Sequence, residues 1–181
     1  MKKTTINMMS MATSIKGQGV GSAYLEQVAL VSTELADKFE VTINKNIRAD
    51  ITHYHTINPD FLLKKHYMTS RGKSVGYVHM LPETVETSVN LPRPIKKIFY
   101  SYMLKFYKSM DYLVTVNPYF IGRLEHYGVP RDRVTYIPNY VSSKDFHPVS
   151  PEAKAKLRDK YGVDLYRECY ADALHEVMEA A

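Results

Sequence analysis

Residues 74–80 read Ser-Val-Gly-Tyr-Val-His-Met, a short run rich in strand-forming residues that ends in a histidine and a methionine. Similar runs alternate along the chain with stretches of helical period, and this alternation is typical of βαβ units around a parallel sheet. Strands are predicted at 6–9, 39–43, 51–55, 74–80, 112–116 and 134–137. Helices are predicted at 22–36, 59–70, 94–109, 118–127 and 151–161. The pattern therefore predicts an α/β fold, a single Rossmann-like three-layer domain with a mostly parallel sheet, plus a C-terminal helix.

Size and composition agree with one globular domain. The chain has 181 residues, 45% hydrophobic and 24% charged, which is close to the average for folded proteins. Its net charge of +5 favours a negatively charged partner, whether nucleic acid, an anionic membrane or a phosphate-bearing substrate. The single cysteine, Cys169, cannot form an internal disulfide, and no apolar run approaches the ~20 residues that cross a bilayer. These features predict a cytoplasmic protein.

Residues that can take part in binding or catalysis follow the predicted strands. In open α/β sheets, ligands bind beyond the carboxyl ends of the strands, so a functional site is predicted at that edge. The residues expected there are Gly17, Gly19 and Gly21 with the adjoining Ser22, followed by His55, His79, Glu83, Asn117 and Asn139.

The three glycines form the segment Gly17-x-Gly19-x-Gly21, between the first predicted strand and the first predicted helix. The segment matches neither the P-loop nor the G-x-G-x-x-G pattern. Two interpretations stay open. One is a close approach of a phosphate or sugar to the backbone, and the other is a tight turn with Ser22 capping the helix. The helix itself would place Leu25, Val28, Leu35 and Ala36 on one side.

Histidines dominate two strand ends. His53 and His55 alternate along a strand and are predicted to share one face, with Tyr54 opposite. No second cluster with metal-ligand spacing accompanies them, so no metal site is predicted. His79 leads into an acidic loop and could present its imidazole to a ligand together with Glu83, although a packed polar residue is the alternative.

The helix at 94–109 combines lysines with aromatic residues. The face expected to pack on the sheet carries Ile95, Ile98, Phe99, Tyr102, Met103, Phe106 and Met110. The opposite side carries Lys96, Lys97, Tyr100, Leu104, Tyr107 and Lys108. That side suits contact with an anionic membrane, and a buried helix with snorkelling lysines is the alternative. Nucleic acid is disfavoured because arginine is sparse and no RNA-binding signature is present.

Five segments together resemble a known family. They are residues 17–27, 50–55, 77–84, 111–119 and 134–141. In this order they are similar to the N-terminal domain of retaining glycosyltransferases of family 4, which have the two-domain GT-B architecture. The likeness covers residues 1–162 and points to the Gram-positive enzymes that glycosylate diacylglycerol glycolipids.

The resemblance implies specific roles. Gly19 and Gly21 would approach the donor diphosphate and sugar, and His79 would be the catalytic-site histidine that contacts the donor sugar. Glu83 and Thr84 would line the acceptor side. Two asparagines, Asn117 and Asn139, would face the interdomain cleft. The family needs no metal, and no other cofactor is expected.

The resemblance also implies a half enzyme. We expect an acceptor-side domain at 1–162, a helical tail at 163–181, and no donor-binding C-terminal domain. The expected function is acceptor binding for hexose transfer from a nucleotide sugar to a diacylglycerol-type glycolipid, on the inner face of the cell membrane and inactive without the donor domain. The alternatives are a non-catalytic binding module, an engineered scaffold, or a subunit completed in trans.

Overall fold

The computed structural model describes residues 2–12, 19–70, 72–86, 92–139 and 148–162. The chain divides into two compact units, Met1–Val141 and Ser142–Ala181. The described part of the second unit holds one helix, α6 (Pro151–Tyr161), which starts at Ser150 with a side-chain cap on the Ala153 N–H. The predicted helical tail at 163–181 lies outside the described residues, so the predicted boundary at 162 stays a prediction.

The first unit is built on a six-stranded sheet whose neighbouring strands are all parallel. The strands are β1 (Thr4–Met9), β2 (Phe39–Ile43), β3 (Ile51–Tyr54), β4 (Lys73–Val78), β5 (Tyr112–Thr115) and β6 (Val134–Tyr136). Their spatial order is β2-β1-β3-β4-β5-β6. The predicted α/β fold with a parallel sheet is confirmed, and the strands after β2 end one or two residues earlier than predicted.

Helices connect the strands of this sheet. They are α1 (Gly19–Glu34), α2 (Pro59–Met68), α3 (Pro82–Val85), α4 (Arg93–Lys108) and α5 (Tyr119–His126), with a short 3-10 helix at Arg131–Arg133. All five predicted helices are present, and α3 is an additional single turn. From β1 to β2 the chain moves toward one edge of the sheet, and from β3 to β6 it moves toward the other edge. Because crossovers between parallel strands are right-handed, α1 lies on one face and α2, α4 and α5 lie on the other.

Two apolar clusters fill the space between the layers. On one face, Tyr24 and Val28 of α1 pack against Ile6 and Met8 of β1. The cluster on the other face joins α2, α4 and α5 to the sheet through Tyr54, Phe61, Met68, Val78, Met103, Phe106, Leu113 and Leu124. The sheet is therefore covered on both sides, as expected for parallel strands.

The start of α1 differs from the prediction. The helix begins at Gly19, so Gly19, Gly21 and Ser22 lie in its first turns, and Ser22 is not its cap. Tyr24 is buried and donates its hydroxyl to the Met8 carbonyl at 3.0 Å, whereas Leu25 is 55% exposed. The buried residues of α1 are Gly21, Tyr24 and Val28, so of the predicted side only Val28 is confirmed, while Leu35 and Ala36 lie beyond the end of the helix.

The strand β4 begins where the chain turns close to β3. The Gly72 N–H bonds to the Thr69 carbonyl at 3.1 Å, and Lys73 N–H bonds to the Asp50 carbonyl at 2.9 Å. A Cβ at position 72 would fall well inside van der Waals contact with the carbonyl oxygens of Asp50 and Ala49. Only glycine fits this crossing without a backbone shift.

Gly72→Ala is therefore expected to destabilise the fold by roughly 3 kcal/mol, because the clash is with backbone that cannot swing away. The matched control is Gly122→Ala in α5, where a Cβ would meet nothing within 4 Å and should raise stability by ~0.5–1 kcal/mol. Urea unfolding at neutral pH measures both. Equal midpoints for the two variants would contradict the close approach at Gly72.

Candidate functional site

A cavity of about 390 Å³ opens at the carboxyl edge of the sheet. It lies between the neighbouring strands β1 and β3, from which the chain continues to opposite faces of the sheet. Such a switch point is where ligands bind in open α/β sheets. The residues that line it are Met11, Ala12, Val20, His55, Thr56, Ile57, Asn58, Pro59, Tyr77, His79, Met80, Phe99, Tyr102 and Tyr107. Its wall is mostly apolar with a few polar groups, as is usual for small-ligand sites.

The floor of the cavity is held by bonds between strand ends. The His55 N–H donates to the Met9 carbonyl at 2.8 Å, which continues the β1–β3 pairing by one residue. Asn44 follows β2 with a positive φ of 50°, and its side chain makes two bonds to the Ser10 main chain, at 2.8 and 2.9 Å. The carboxyl end of β1 is thus fixed from both neighbouring strands.

An aromatic stack, formed by Tyr24, His53, His55, Tyr77 and His79, occupies one face of the sheet beside the cavity. Its centre is His55, whose ring stacks on Tyr77 at 4.6 Å and lies 4.5 Å from His53 and 4.9 Å from Tyr24. The His79 ring stacks on Tyr77 at 4.8 Å and lies 6.0 Å from the His55 ring. The predicted shared face of His53 and His55 is confirmed.

Burial keeps the three imidazoles of the stack uncharged. It lowers the pKa of His53 to about 4 and that of His79 to about 4. For His55, burial together with the charges that His53 and His79 would carry lowers the pKa to about 2. Within the described ranges, neither nitrogen of His55 has a hydrogen-bond partner, and the same holds for Nε2 of His53 and Nε2 of His79. The stack is therefore a neutral, aromatic wall with open hydrogen-bonding capacity.

Other polar groups of the cavity wall are already engaged. Tyr102 donates its hydroxyl to the Ile57 carbonyl, and Tyr107 donates to the Met80 carbonyl at 3.1 Å. The Thr56 hydroxyl donates to Asn58 Oδ1 at 2.7 Å. Burial raises the pKa of Tyr102 to about 12, so this hydroxyl stays protonated. These bonds hold the wall in shape and leave the imidazoles to meet a ligand.

The side chains of the acidic loop are hydrogen-bonded within the protein. The Glu83 carboxylate accepts bonds from Arg123 Nε and the Tyr127 hydroxyl, which ties α3 to α5. Partial burial opposes ionisation, yet these hydrogen bonds hold the pKa of Glu83 below its usual range. The Thr84 hydroxyl bonds to the Leu81 main chain at 2.9 Å. Neither residue is among those that line the cavity, and the expectation that both face an acceptor stays a prediction.

The remaining strand-end residues are dispersed. Gly21 is buried in the first turn of α1, and its neighbour Val20 reaches the cavity. Gly17 lies outside the described residues. Asn117 accepts a bond from the Tyr119 N–H at 3.0 Å at the start of α5, and Asn139 is exposed. Neither asparagine lines the cavity, and their expected position facing an interdomain cleft stays a prediction.

Helix α4 packs with most of the predicted face inward, as Phe99, Tyr102, Met103, Phe106 and Met110 show, but it is rotated enough to leave Ile95 and Ile98 exposed. Tyr107 is buried, so it cannot be the membrane contact that the sequence suggested, while Ile98 is 70% exposed. The rotation lets the Tyr107 hydroxyl reach Met80, and it turns Lys96 and Tyr100 toward Glu86, which both contact.

We call the exposed side of this helix the outer face of α4. It consists of Lys97, Ile98, Ser101, Lys105 and Lys108. Leu104 is half-buried beside it. None of the helices in the described part of the chain is both long and apolar enough to cross a membrane. Within the same ranges, no three His, Cys, Asp or Glu side chains are grouped to hold a metal ion.

The neutral histidines make stability depend on pH. Their pKa values of about 4, 2 and 4 in the folded protein lie below the 6.5 of an unperturbed histidine, so the unfolded chain binds more protons as the pH falls. The free energy of unfolding is therefore unaffected by these histidines above pH ~6.5, and it falls as the pH is lowered from ~6.5 toward ~4. Between pH ~6.5 and ~5, we expect each histidine to cost about 1 kcal/mol of unfolding free energy per pH unit.

Urea unfolding across this pH range measures that slope. His53→Phe removes one of the three groups and should make the slope shallower. The control is His66→Gln, which also replaces one histidine but at an exposed position on α2, outside the stack. Identical slopes for the wild type and His53→Phe would show that the buried stack takes up protons while folded.

Comparison with known proteins gives a relative and a family. The model for Glycosyltransferase Family 4 matches residues 31–145. The alpha-galactosylglucosyldiacylglycerol synthase of Streptococcus pneumoniae is 43% identical over 162 residues, which are 90% of this chain and 43% of that protein. The chain therefore spans less than half the length of this relative.

Solved structures share the fold. Anabaena HepE in complex with UDP-glucose matches with a TM-score of 0.58 and 14% identity, over 88% of this chain and 50% of that one. The same protein in complex with UDP and glucose matches with a TM-score of 0.57 and 12% identity over the same shares. The resemblance inferred from the five sequence segments is confirmed by these matches. The chain belongs to glycosyltransferase family 4.

Proposed function

We propose that this chain is the acceptor-binding part of a glycosyltransferase that moves a hexose from a nucleotide sugar to a diacylglycerol-type glycolipid. The observation that carries the proposal is the cavity at the β1–β3 switch point, walled by apolar side chains and edged by His55 and His79. An amphiphilic acceptor needs such a combination, because its apolar part requires desolvation and its hydroxyls require hydrogen-bond partners.

His79 is the proposed catalytic-site residue. Its imidazole is half-buried at the carboxyl end of β4, stacks on Tyr77 and has Nε2 without a partner among the described residues. Burial lowers its pKa to about 4, so at neutral pH the ring both donates and accepts one hydrogen bond. A neutral imidazole suits the hydroxyl of a bound hexose and would orient it beside the acceptor.

A second domain is proposed to hold most of the donor. The pneumococcal relative extends well beyond the region that this chain matches, and the Anabaena structures contain UDP-glucose or UDP in chains about twice as long as the matched part. We infer that Gly19 and Gly21 approach the donor from one side only. Without a donor-binding partner domain, the 181-residue chain is expected to transfer no sugar.

The outer face of α4 is the proposed contact with an anionic membrane. Lys97, Lys105 and Lys108 are exposed there around the exposed Ile98. Lysines next to an anionic lipid surface contribute about 1 kcal/mol each, and the cytoplasmic leaflet carries such lipids. The proposed location is therefore peripheral, on the inner face of the cell membrane.

Vesicle binding tests this contact. Lys105→Gln should weaken binding to vesicles rich in phosphatidylglycerol about fivefold, since one lysine is lost from the surface that meets the lipid. Lys38→Gln is the matched control, because Lys38 is exposed in the turn between α1 and β2 and the net charge changes equally. Sedimentation with vesicles gives both affinities. Equal losses would mean that net charge alone drives binding and would remove α4 from the proposal.

Sugar transfer tests the function itself. The chain is mixed with the separately produced C-terminal half of the pneumococcal relative, labelled UDP-glucose or UDP-galactose, and vesicles containing diacylglycerol or monoglucosyldiacylglycerol. We expect labelled glycolipid only when both halves are present, and none with His79→Ala. Transfer by the chain alone would contradict the need for a donor domain. If the mixture is inactive and the chain binds no glycolipid, a non-catalytic binding module becomes the better description.

A further inference from the structure

We propose that His55 selects the acceptor by hydrogen bonding to one of its hydroxyl groups, which makes it a specificity-determining residue of the cavity. This inference rests on the proposed function, because it assigns a role within the same acceptor site. It differs from the role given to His79, which is placed at the donor side of the reaction.

His55 is buried and fixed, yet its polar atoms are unused. The residue is 2% exposed, its N–H is bonded to Met9, and its ring is held between Tyr77, His53 and Tyr24. Neither ring nitrogen has a partner anywhere in the described part of the chain. An unsatisfied buried polar group costs free energy, so two of them on one residue of the cavity lining call for a functional reason.

The chemistry of the ring limits what it can recognise. A neutral imidazole offers one N–H donor and one nitrogen acceptor. A hydroxyl group can bond to either nitrogen, because it can accept from the N–H or donate to the bare nitrogen. A phosphate or carboxylate could use only the N–H of the neutral ring and would leave the acceptor nitrogen unpaired, and burial beside two further histidines disfavours the imidazolium that would donate twice. The tyrosine and threonine hydroxyls nearby are bonded within the protein, so they do not compete for the ligand.

The hydroxyl has two possible sources in the proposed acceptor, the sugar headgroup and the glycerol backbone. Both present an alcohol next to an apolar body, and the surrounding wall of Met11, Val20, Ile57 and Phe99 suits that body. Three soluble probes separate the sources: octyl glucoside, octyl glycerol ether, and permethylated octyl glucoside, in which every hydroxyl is capped.

The test is calorimetric titration of the 181-residue chain with each probe below its micelle concentration. His55→Phe keeps an aromatic ring in the stack and removes both nitrogens. We expect it to weaken binding of one hydroxyl-bearing probe about five- to tenfold, the effect of one hydrogen bond, and to leave the permethylated probe unchanged. The probe that loses affinity identifies the source of the hydroxyl.

His53→Phe is the matched control. His53 stands in the same stack with an unpartnered Nε2 but does not line the cavity, so its replacement should leave all three affinities unchanged. Thermal stability supplies a second readout. A role in ligand binding predicts that His55→Phe melts no lower than the wild type, since it removes two unsatisfied groups, whereas a structural role predicts a clear loss.

Four outcomes decide the proposal. Equal affinities of wild type and His55→Phe for the hydroxyl-bearing probes would overturn it and leave the proposed function standing. An equal loss for the permethylated probe would reduce His55 to a packing role. If the wild type binds neither these probes nor glycolipid in vesicles, the proposed function fails as well. Should His55→Phe not fold, the ring nitrogen chemical shifts of wild-type His55 must move on addition of octyl glucoside or octyl glycerol ether, and unchanged shifts would overturn the proposal.

Discussion

The pairing of β1 with both β2 and β3 is the constraint on which the rest of the structure depends. Because β1 lies between them, the chain must cross over it, and its crossovers leave toward opposite faces of the sheet. The carboxyl ends of β1 and β3 are then left without a helix directly above them. His55 extends the pairing to Met9, so the crevice that results has a rigid floor. The position of the cavity is a consequence of strand order.

That rigid floor supports an arrangement that costs stability. Stacked and edge-on ring pairs in the aromatic stack each contribute about 0.5–1.5 kcal/mol beyond their burial. Unsatisfied nitrogens cost about 1–3 kcal/mol each. A stack of purely apolar rings would keep the stabilisation from ring pairs and would avoid the cost of unsatisfied nitrogens. Polar side chains kept against local stability are typical of functional sites, and here they concentrate at the edge where the sheet topology places a ligand.

Sequence periodicity predicted the fold well because strand and helix patterns are local. Every predicted strand and helix between residues 6 and 137 is present, since burial on both sheet faces leaves continuous apolar runs. Long-range pairing was not predictable in the same way. Glu83 meets Arg123 forty residues later, a partner that no local pattern indicates. The contact engages one carboxylate oxygen of Glu83, which the sequence had suggested only as a site residue.

The cavity itself was predicted only in part. His55 and His79 follow strands, so the strand-end rule found them. Val20, Phe99 and Tyr102 come from helices, and their position depends on how each helix is rotated on the sheet. For α4 the hydrophobic pattern identified most of the inner face but not the exact rotation, because Tyr107 lies among lysines on the opposite side. In the observed orientation Tyr107 is buried, and its hydroxyl donates a hydrogen bond to the Met80 carbonyl. A buried hydroxyl without such a partner would be unfavourable.

The rotation of α4 connects the two proposed surfaces of the protein. Phe99 and Tyr102 on its inner side line the cavity, while Lys97 and Lys105 lie on its outer side. A helix with its side chains is only about 10 Å across. If the outer face rests on a bilayer, the cavity lies within one helix diameter of the lipid headgroups. A glycolipid could then place its headgroup beside His55 while its acyl chains remain in the membrane, so no full extraction of the lipid would be needed.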